Sequence, residues 1–173
     1  MNPAPFLLAA ILTCSPGLAL AASATPQPVS LPRLAAGKPV LGITTPSGVR
    51  KFSLAELEAA GLKEVGTKTF WPADDGTYQG PLLADVLKLA GIENATAIRV
   101  TALDGFSQVI PRADWNHWPL LLATRRDGQP LTTRNKGPLR ILYPRDMDRA
   151  LEDTVYRLRW VWLVRSIEPV DGK

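Results

Sequence analysis

Three cations lie close together near the end of this 173-residue chain, at Arg134, Lys136 and Arg140. Where water is excluded, each charge-assisted hydrogen bond from such groups to one anion contributes about 1.5 to 3 kcal/mol. They belong to a wider basic set with Arg125, Arg126 and Arg145. Strand alternation sends Arg125 and Arg126 to opposite faces, and a solvated surface accounts for most of the set. Arg134, Lys136 and Arg140 are therefore the candidate anion-binding residues. Trp71 and Tyr78 flank a turn and offer rings on which a flat group stacks, each well-placed pair adding about 0.5 to 1.5 kcal/mol beyond burial. Phe106, Trp115 and Trp118 have similar ring chemistry, but aromatic residues usually fill cores, and packing is their expected role.

Other chemistries find little support. Zinc needs three or four ligands, and the chain offers a lone His117 with scattered carboxylates. His117, between Trp115 and Trp118, reads as a packed, hydrogen-bonded residue. Ser-His-Asp hydrolysis lacks a Gly-x-Ser-x-Gly elbow and a second histidine. Asp74 and Asp75 precede Gly76 and read as turn residues rather than an acid-base pair. No catalytic residue and no metal ligand set is expected.

Residues 1–24 carry no charged side chain, and an apolar run from Phe6 to Leu12 precedes Pro16, Gly17 and small residues. Ala19-Leu20-Ala21 fits the small-x-small cleavage rule, with Ala22-Ser23-Ala24 as the alternative. The expected organisation is a signal peptide over 1–21, an extended leader over 22–39 and one domain over 40–173. The protein is then periplasmic or secreted, with no membrane span after cleavage. The one cysteine, Cys14, falls within the signal, so stability must come from a core rather than disulfides. The 46% of apolar residues make that feasible. Twenty Lys and Arg against sixteen Asp and Glu give a net charge of +4 and a pI near 9.5, which favours anionic ligands. Without a dense basic run, nucleic acid is not an expected partner.

The elements that must position these groups follow from local signals. Pro26, Pro28 and Pro32 keep the leader extended. Val40 to Thr44 reads as a strand, and Ser53-Leu54-Ala55-Glu56 makes a capping box that opens a helix closed by Gly61. Val65 to Trp71 reads as a strand, turned at Asp75-Gly76 into Thr77 and Tyr78. Pro81 takes the first position of a helix in which Leu82, Leu83, Val86, Leu87 and Ala90 recur at helical spacing before Gly91. Hairpins are expected around Asp104-Gly105 and Asp127-Gly128, with closing strands at Leu139 to Tyr143 and Tyr156 to Ile167. The class is α+β, mostly β with a few short helices.

Four pieces in order carry a family likeness: Asp104-Gly105-Phe106 leading to Ile110-Pro111; Leu121-Leu122-Ala123 with Asp127-Gly128-Gln129-Pro130-Leu131; Gly137 to Pro144, GPLRILYP; and Trp160 to Glu168, which ends RSIE. With Gly80-Pro81-Leu82-Leu83 and Val86-Leu87, they resemble the oxidoreductase molybdopterin-binding, sulfite-oxidase-like domain over roughly residues 40–170. The resemblance implies that fold and a possible molybdopterin cofactor. It also implies a cysteine ligand to molybdenum ahead of the Gly-x-Pro-Leu helix, where this chain reads TKTFWPADDGTYQGPL without one. Lys136-Gly137 stands where the enzymes have His-Gly, and Val161-Trp162 where they have Lys-Trp. RDMDRALEDT replaces their glycine-rich loop and reads as a short helix or solvated loop. Arg140 remains, in the position that pairs with a phosphate. The combined expectation is an exported sulfite-oxidase-fold protein, non-catalytic, binding a small anionic ligand or a partner such as a membrane sensor protein. The alternative is a molybdopterin-dependent oxidoreductase whose metal is held by the pterin dithiolene alone.

Overall fold

The computed structural model of the protein describes residues 23–170. The expected signal peptide, with Cys14, lies outside them. Twelve strands and four short helices in this range follow the order β1 (Gln27–Pro28), β2 (Leu41–Thr45), β3 (Gly48–Phe52), α1 (Leu54–Glu58), β4 (Lys63–Thr67), β5 (Gly76–Gly80) and α2 (Leu83–Ala90). They continue as β6 (Ala97–Ala102), β7 (Ser107–Pro111), α3 (Arg112–His117), β8 (Leu121–Ala123), β9 (Arg125–Arg126), β10 (Gln129–Pro130), β11 (Arg140–Leu142), α4 (Thr154–Leu158) and β12 (Val164–Val170).

The strands form three sheets, ordered β1-β4-β5-β9-β10, β11-β8 and β3-β2-β12-β6-β7. In the last, β12 is the central strand, parallel to β2 and antiparallel to β6. Side chains from all three sheets and α2, among them Ile43, Val65, Leu87, Val100, Leu122 and Ile167, are buried in one apolar cluster. The domain is α+β and mostly β, as the sequence suggests.

Local chemistry explains the elements. Ser53 and Glu56 make the reciprocal capping box of α1, satisfying amides that the first helical turn leaves without partners. Along α2, Leu83, Val86, Leu87 and Ala90 form the buried stripe, and Gly91 ends the helix at φ 80°, a left-handed conformation that glycine adopts without steric cost. Asp127 (φ 51°) and Gly128 (φ 78°) make the two-residue turn between β9 and β10. Gly80 is required by close packing, because a Cβ there would stand 2.8 Å from the Cα of Ala123 and closer still to the Leu122 carbonyl.

Four local expectations are corrected. The strand expected from Val65 to Trp71 ends at Thr67, because Asp146 and Asp75 side chains take the next amides, of Lys68 (2.9 Å) and Thr69 (2.6 Å). The turn between β4 and β5 is consequently the whole segment 68–75 rather than Asp75-Gly76 alone. Pro81 is not helical: Leu82 is extended and bridges Leu121. Tyr156 to Leu158 lies in α4 instead of a strand, because Asp153 accepts a hydrogen bond from the Val155 amide (2.8 Å) and caps a helical turn. Arg145–Met147 and Arg149–Glu152 of the charged segment are short 3-10 turns.

The segment before β2, expected to be an extended leader, contributes β1 to the first sheet. Gln27 and Pro28 pair with Glu64 and Lys63 of β4, and the carbonyl of Pro32 accepts a hydrogen bond from Arg125 at 2.8 Å. Arg125 also makes a bidentate pair with Glu58, at 2.8 and 2.6 Å, while Arg126 points the other way to the carbonyls of Ala73 and Asp75. The alternation expected of a strand is thus realised. No helix among the described residues is long and apolar enough to cross a membrane.

Candidate functional site

Arg140 sits in β11, whose three residues are all buried, and its guanidinium is only 1% exposed. The register with β8 sets Arg140 opposite Ala123, and that pairing fixes the side-chain direction. Nη1 donates to the Tyr78 hydroxyl at 2.9 Å and stands 3.9 Å from the Asp74 carboxylate. The opposite edge, Nε and Nη2, has no hydrogen-bond partner among the described residues. Burial lowers the pKa of Arg140, opposed by Tyr78 and Asp74, since removing a cation from water disfavours its charged form.

The segment after α4 is held beside this strand by backbone bonds, Ile141 N–H to Val161 O (2.9 Å) and Val164 N–H to Leu139 O (2.9 Å). Trp160 and Trp162 flank Val161, and their rings lie 5.7 and 5.9 Å from the Arg140 guanidinium carbon. Lys136 is left-handed at φ 64°, and its carbonyl accepts from Leu163 N–H at 3.1 Å. Its ammonium stands 3.9 Å from the Trp162 ring centre and 5.3 Å from that of Trp71. Such cation–π contacts contribute about 0.5 to 2 kcal/mol, more as water is excluded.

Trp71 and Asp74 come from the turn between β4 and β5, which is tied down at several points. Arg145 donates to the Thr69 carbonyl at 2.9 Å, Arg126 to that of Asp75 at 2.7 Å, and the Tyr78 hydroxyl to that of Asp74 at 2.5 Å. Trp71 then meets Trp162 edge-on with ring centres 4.5 Å apart, and the Asp74 carboxylate pairs with the Lys136 ammonium. Burial raises the pKa of Tyr78, which keeps its hydroxyl protonated and able to donate to the Asp74 carbonyl.

Trp71, Trp160 and Trp162 also line a cleft of about 500 Å³, completed by Ala102, Asp104, Phe106, Thr154, Arg157, Leu158 and Leu163. Arg157 stands over Trp71 at 5.5 Å. The indoles form a shared wall: the cleft lies against them, and Lys136 and Arg140 pack on the same rings. The arrangement offers an apolar wall of mutually inclined indoles, cations close behind it, and a guanidinium edge without a hydrogen-bond partner among the described residues, whose geometry matches two oxygens of a carboxylate or phosphate.

Four of the five residues predicted from sequence, Trp71, Tyr78, Lys136 and Arg140, are joined by contacts in this cluster. Arg134 is exposed in the turn Thr133–Asn135 and shares none of them. Tyr78 is fully buried, so its ring is no stacking surface and its contribution is the hydroxyl. Trp115 and Trp118 are buried in the core, as expected, whereas Phe106 is exposed. His117 is exposed, edge-on to Trp118, instead of packed inside. Sequence reasoning missed Asp74, Trp160 and Trp162. The last two carried a usable signal, since residues two apart in an extended segment share a face.

A search among curated proteins finds no match. The model of one family, the oxidoreductase molybdopterin binding domain, matches residues 54–150, which include α1, the turn carrying Trp71 and Asp74, Tyr78, Lys136 and Arg140. With more than half of its length matched and a three-sheet fold consistent with that domain, the chain belongs to the oxidoreductase molybdopterin-binding domain family.

Proposed function

We propose that this protein is a non-catalytic member of its family that binds a small anionic ligand through the Arg140 cluster. The observation carrying this reading is the unpartnered edge of a buried guanidinium. A charge withdrawn from water costs several kcal/mol unless it is paired and hydrogen-bonded, and among the described residues Arg140 hydrogen-bonds through Nη1 alone. An anion with two oxygens satisfies the remaining edge. Trp162, whose ring packs on Arg140, is only half-buried, so turning this indole is the route by which a ligand reaches Arg140.

The family commonly binds a molybdopterin cofactor. The indole wall and the Arg140 edge fit a flat ring and an anionic group. The fit does not extend to the metal, because the cluster supplies indole, ammonium, guanidinium, phenol and a carboxylate already paired with Lys136. None of these is the soft thiolate that such a metal prefers. Cys14 lies outside the matched residues. No redox step is assigned to the site. Its residues bind and orient: Arg140 holds the oxygens, Lys136 adds charge, Tyr78 positions the guanidinium, and Trp160 and Trp162 cover it.

Calorimetric titration with benzoate, which carries a ring and two oxygens, tests the reading with wild-type protein and Arg140→Lys. Lysine keeps the charge but lacks the two-pronged edge. Wild-type binding weakened about tenfold or more in the variant is expected, one charge-assisted hydrogen bond being worth that much. Equal affinities would remove Arg140 from the site.

A second reading, docking of a partner such as a membrane sensor protein, is supported by the exposed apolar side chains Leu103, Phe106, Val155 and Leu158. Phe106 and Leu158 line the cleft. In-cell crosslinking from Leu158 in the periplasm, where the uncharged residues 1–24 direct this proposal, is expected to capture one partner. Loss of that crosslink in Phe106→Ser would support docking at the cleft, and an unchanged crosslink would count against it.

A further inference from the structure

We infer that Asp74 sets the charge of the ligand, so that the site takes a singly charged group such as a carboxylate in preference to a doubly charged one such as a phosphate monoester. The inference rests on the anion-binding reading above and assigns a specificity-determining role to a residue outside the predicted set. Asp74 is paired with Lys136 and lies 3.9 Å from Arg140 Nη1. Two cations and one carboxylate leave the group with a single positive charge.

The surrounding contacts keep that carboxylate in place. The backbone of Asp74 is bound by the Tyr78 hydroxyl, and its neighbours Ala73 and Asp75 by Arg126. Arg126 has its own counter-ion in Asp127, at 3.4 Å. Arg157 stands on Trp71, one indole removed from Arg140. Asp74 faces the Nη1 side of the guanidinium, whereas the unpartnered edge is formed by Nε and Nη2. An incoming anion therefore need not displace Asp74, and both share one guanidinium. A monoanion brings the group to neutrality. A dianion leaves excess negative charge beside the Arg140 side chain, which is 1% exposed, where repulsion is poorly screened.

Benzoate and phenyl phosphate carry the same ring and differ in charge at pH 8, where the phosphate is a dianion. Wild-type protein is expected to bind benzoate more tightly. In Asp74→Asn the affinity ratio should move toward phenyl phosphate by about tenfold, the scale of coupling between neighbouring sites. Asp74→Ser serves as a second variant for the case in which the first does not fold. Asp75→Asn is the control: Asp75 accepts the Thr69 amide, which asparagine can also do, and its ratio should stay at the wild-type value.

Tighter wild-type binding of phenyl phosphate would overturn the inference without any variant, as would an unchanged ratio in both Asp74 variants or an equal shift in Asp75→Asn. If benzoate binds, and binds more weakly in Arg140→Lys, while the ratio does not respond to Asp74, the role of Asp74 alone is lost. If neither probe binds the wild type, the anion reading fails and this inference fails with it.

Discussion

Arg140→Met is expected to abolish benzoate binding and at the same time to raise the temperature of thermal unfolding. Methionine is flexible and fills irregular apolar space, and the rings of Tyr78, Trp160 and Trp162 surround the position. Replacing buried ionic groups with packed apolar ones of similar volume is often neutral or stabilising, by about 1 to 4 kcal/mol. Arg140 is a favourable case because two of its nitrogens lack hydrogen-bond partners among the described residues and burial already opposes its charge. Each kcal/mol corresponds to about 2 to 4 °C in a domain of this size. Lys136 retains Asp74 as counter-ion, so no new buried charge is stranded. Calorimetric scanning together with titration checks both halves. A variant that lost stability and kept its ligand would reverse the assignment, making Arg140 structural.

The opposite outcome is expected at the other buried arginine. Arg125 and Glu58 have side chains 4% and 8% exposed, joined by two hydrogen bonds. The Glu58 carboxylate also accepts from the Thr124 hydroxyl at 2.7 Å. The pair links α1, β9 and the leader through Pro32. Among the described residues, Glu58→Ala leaves the guanidinium with the Pro32 carbonyl alone and strands a buried cation, a loss of about 3 to 5 kcal/mol. Denaturant unfolding should show it as a lower midpoint. A change below about 1 kcal/mol, the scale of exposed pairs, would mean that water reaches the pair. The two arginines thus differ in expected sign: Arg125 has its hydrogen bonds filled by Glu58 and Pro32, while Arg140 is buried with one edge unpaired among the described residues.

Much of the fold was legible because its signals are local. The Ser53-Glu56 box, the α2 stripe ending at Gly91 and the Asp127-Gly128 turn all lie within a few residues, where backbone geometry decides the outcome. The α4 turn was misjudged because the apolar and aromatic content of Tyr156 to Ile167 outweighed the Asp153 cap. The site was half legible. Arg140 and Lys136 stood out as cations, and Trp71 as an aromatic beside a turn. The Asp74–Lys136 pair was hidden by its separation in sequence of 62 positions. Adjacent Asp residues before a glycine also have an ordinary explanation in turn chemistry, and Asp75 does make such a contact. Nothing local in the sequence distinguished the two. Tyr78 was selected for its ring and contributes its hydroxyl, because the strand register that buries it depends on pairing with β4 and β9.

The proposal of a binder without redox chemistry is tested most directly by the molybdenum content of the protein purified from a host that makes the cofactor. Far less than one molybdenum per chain is expected, since the Arg140 cluster holds cations and indoles and no thiolate. One molybdenum per chain, retained through purification, would contradict it and favour an oxidoreductase whose metal is held by the pterin dithiolene alone.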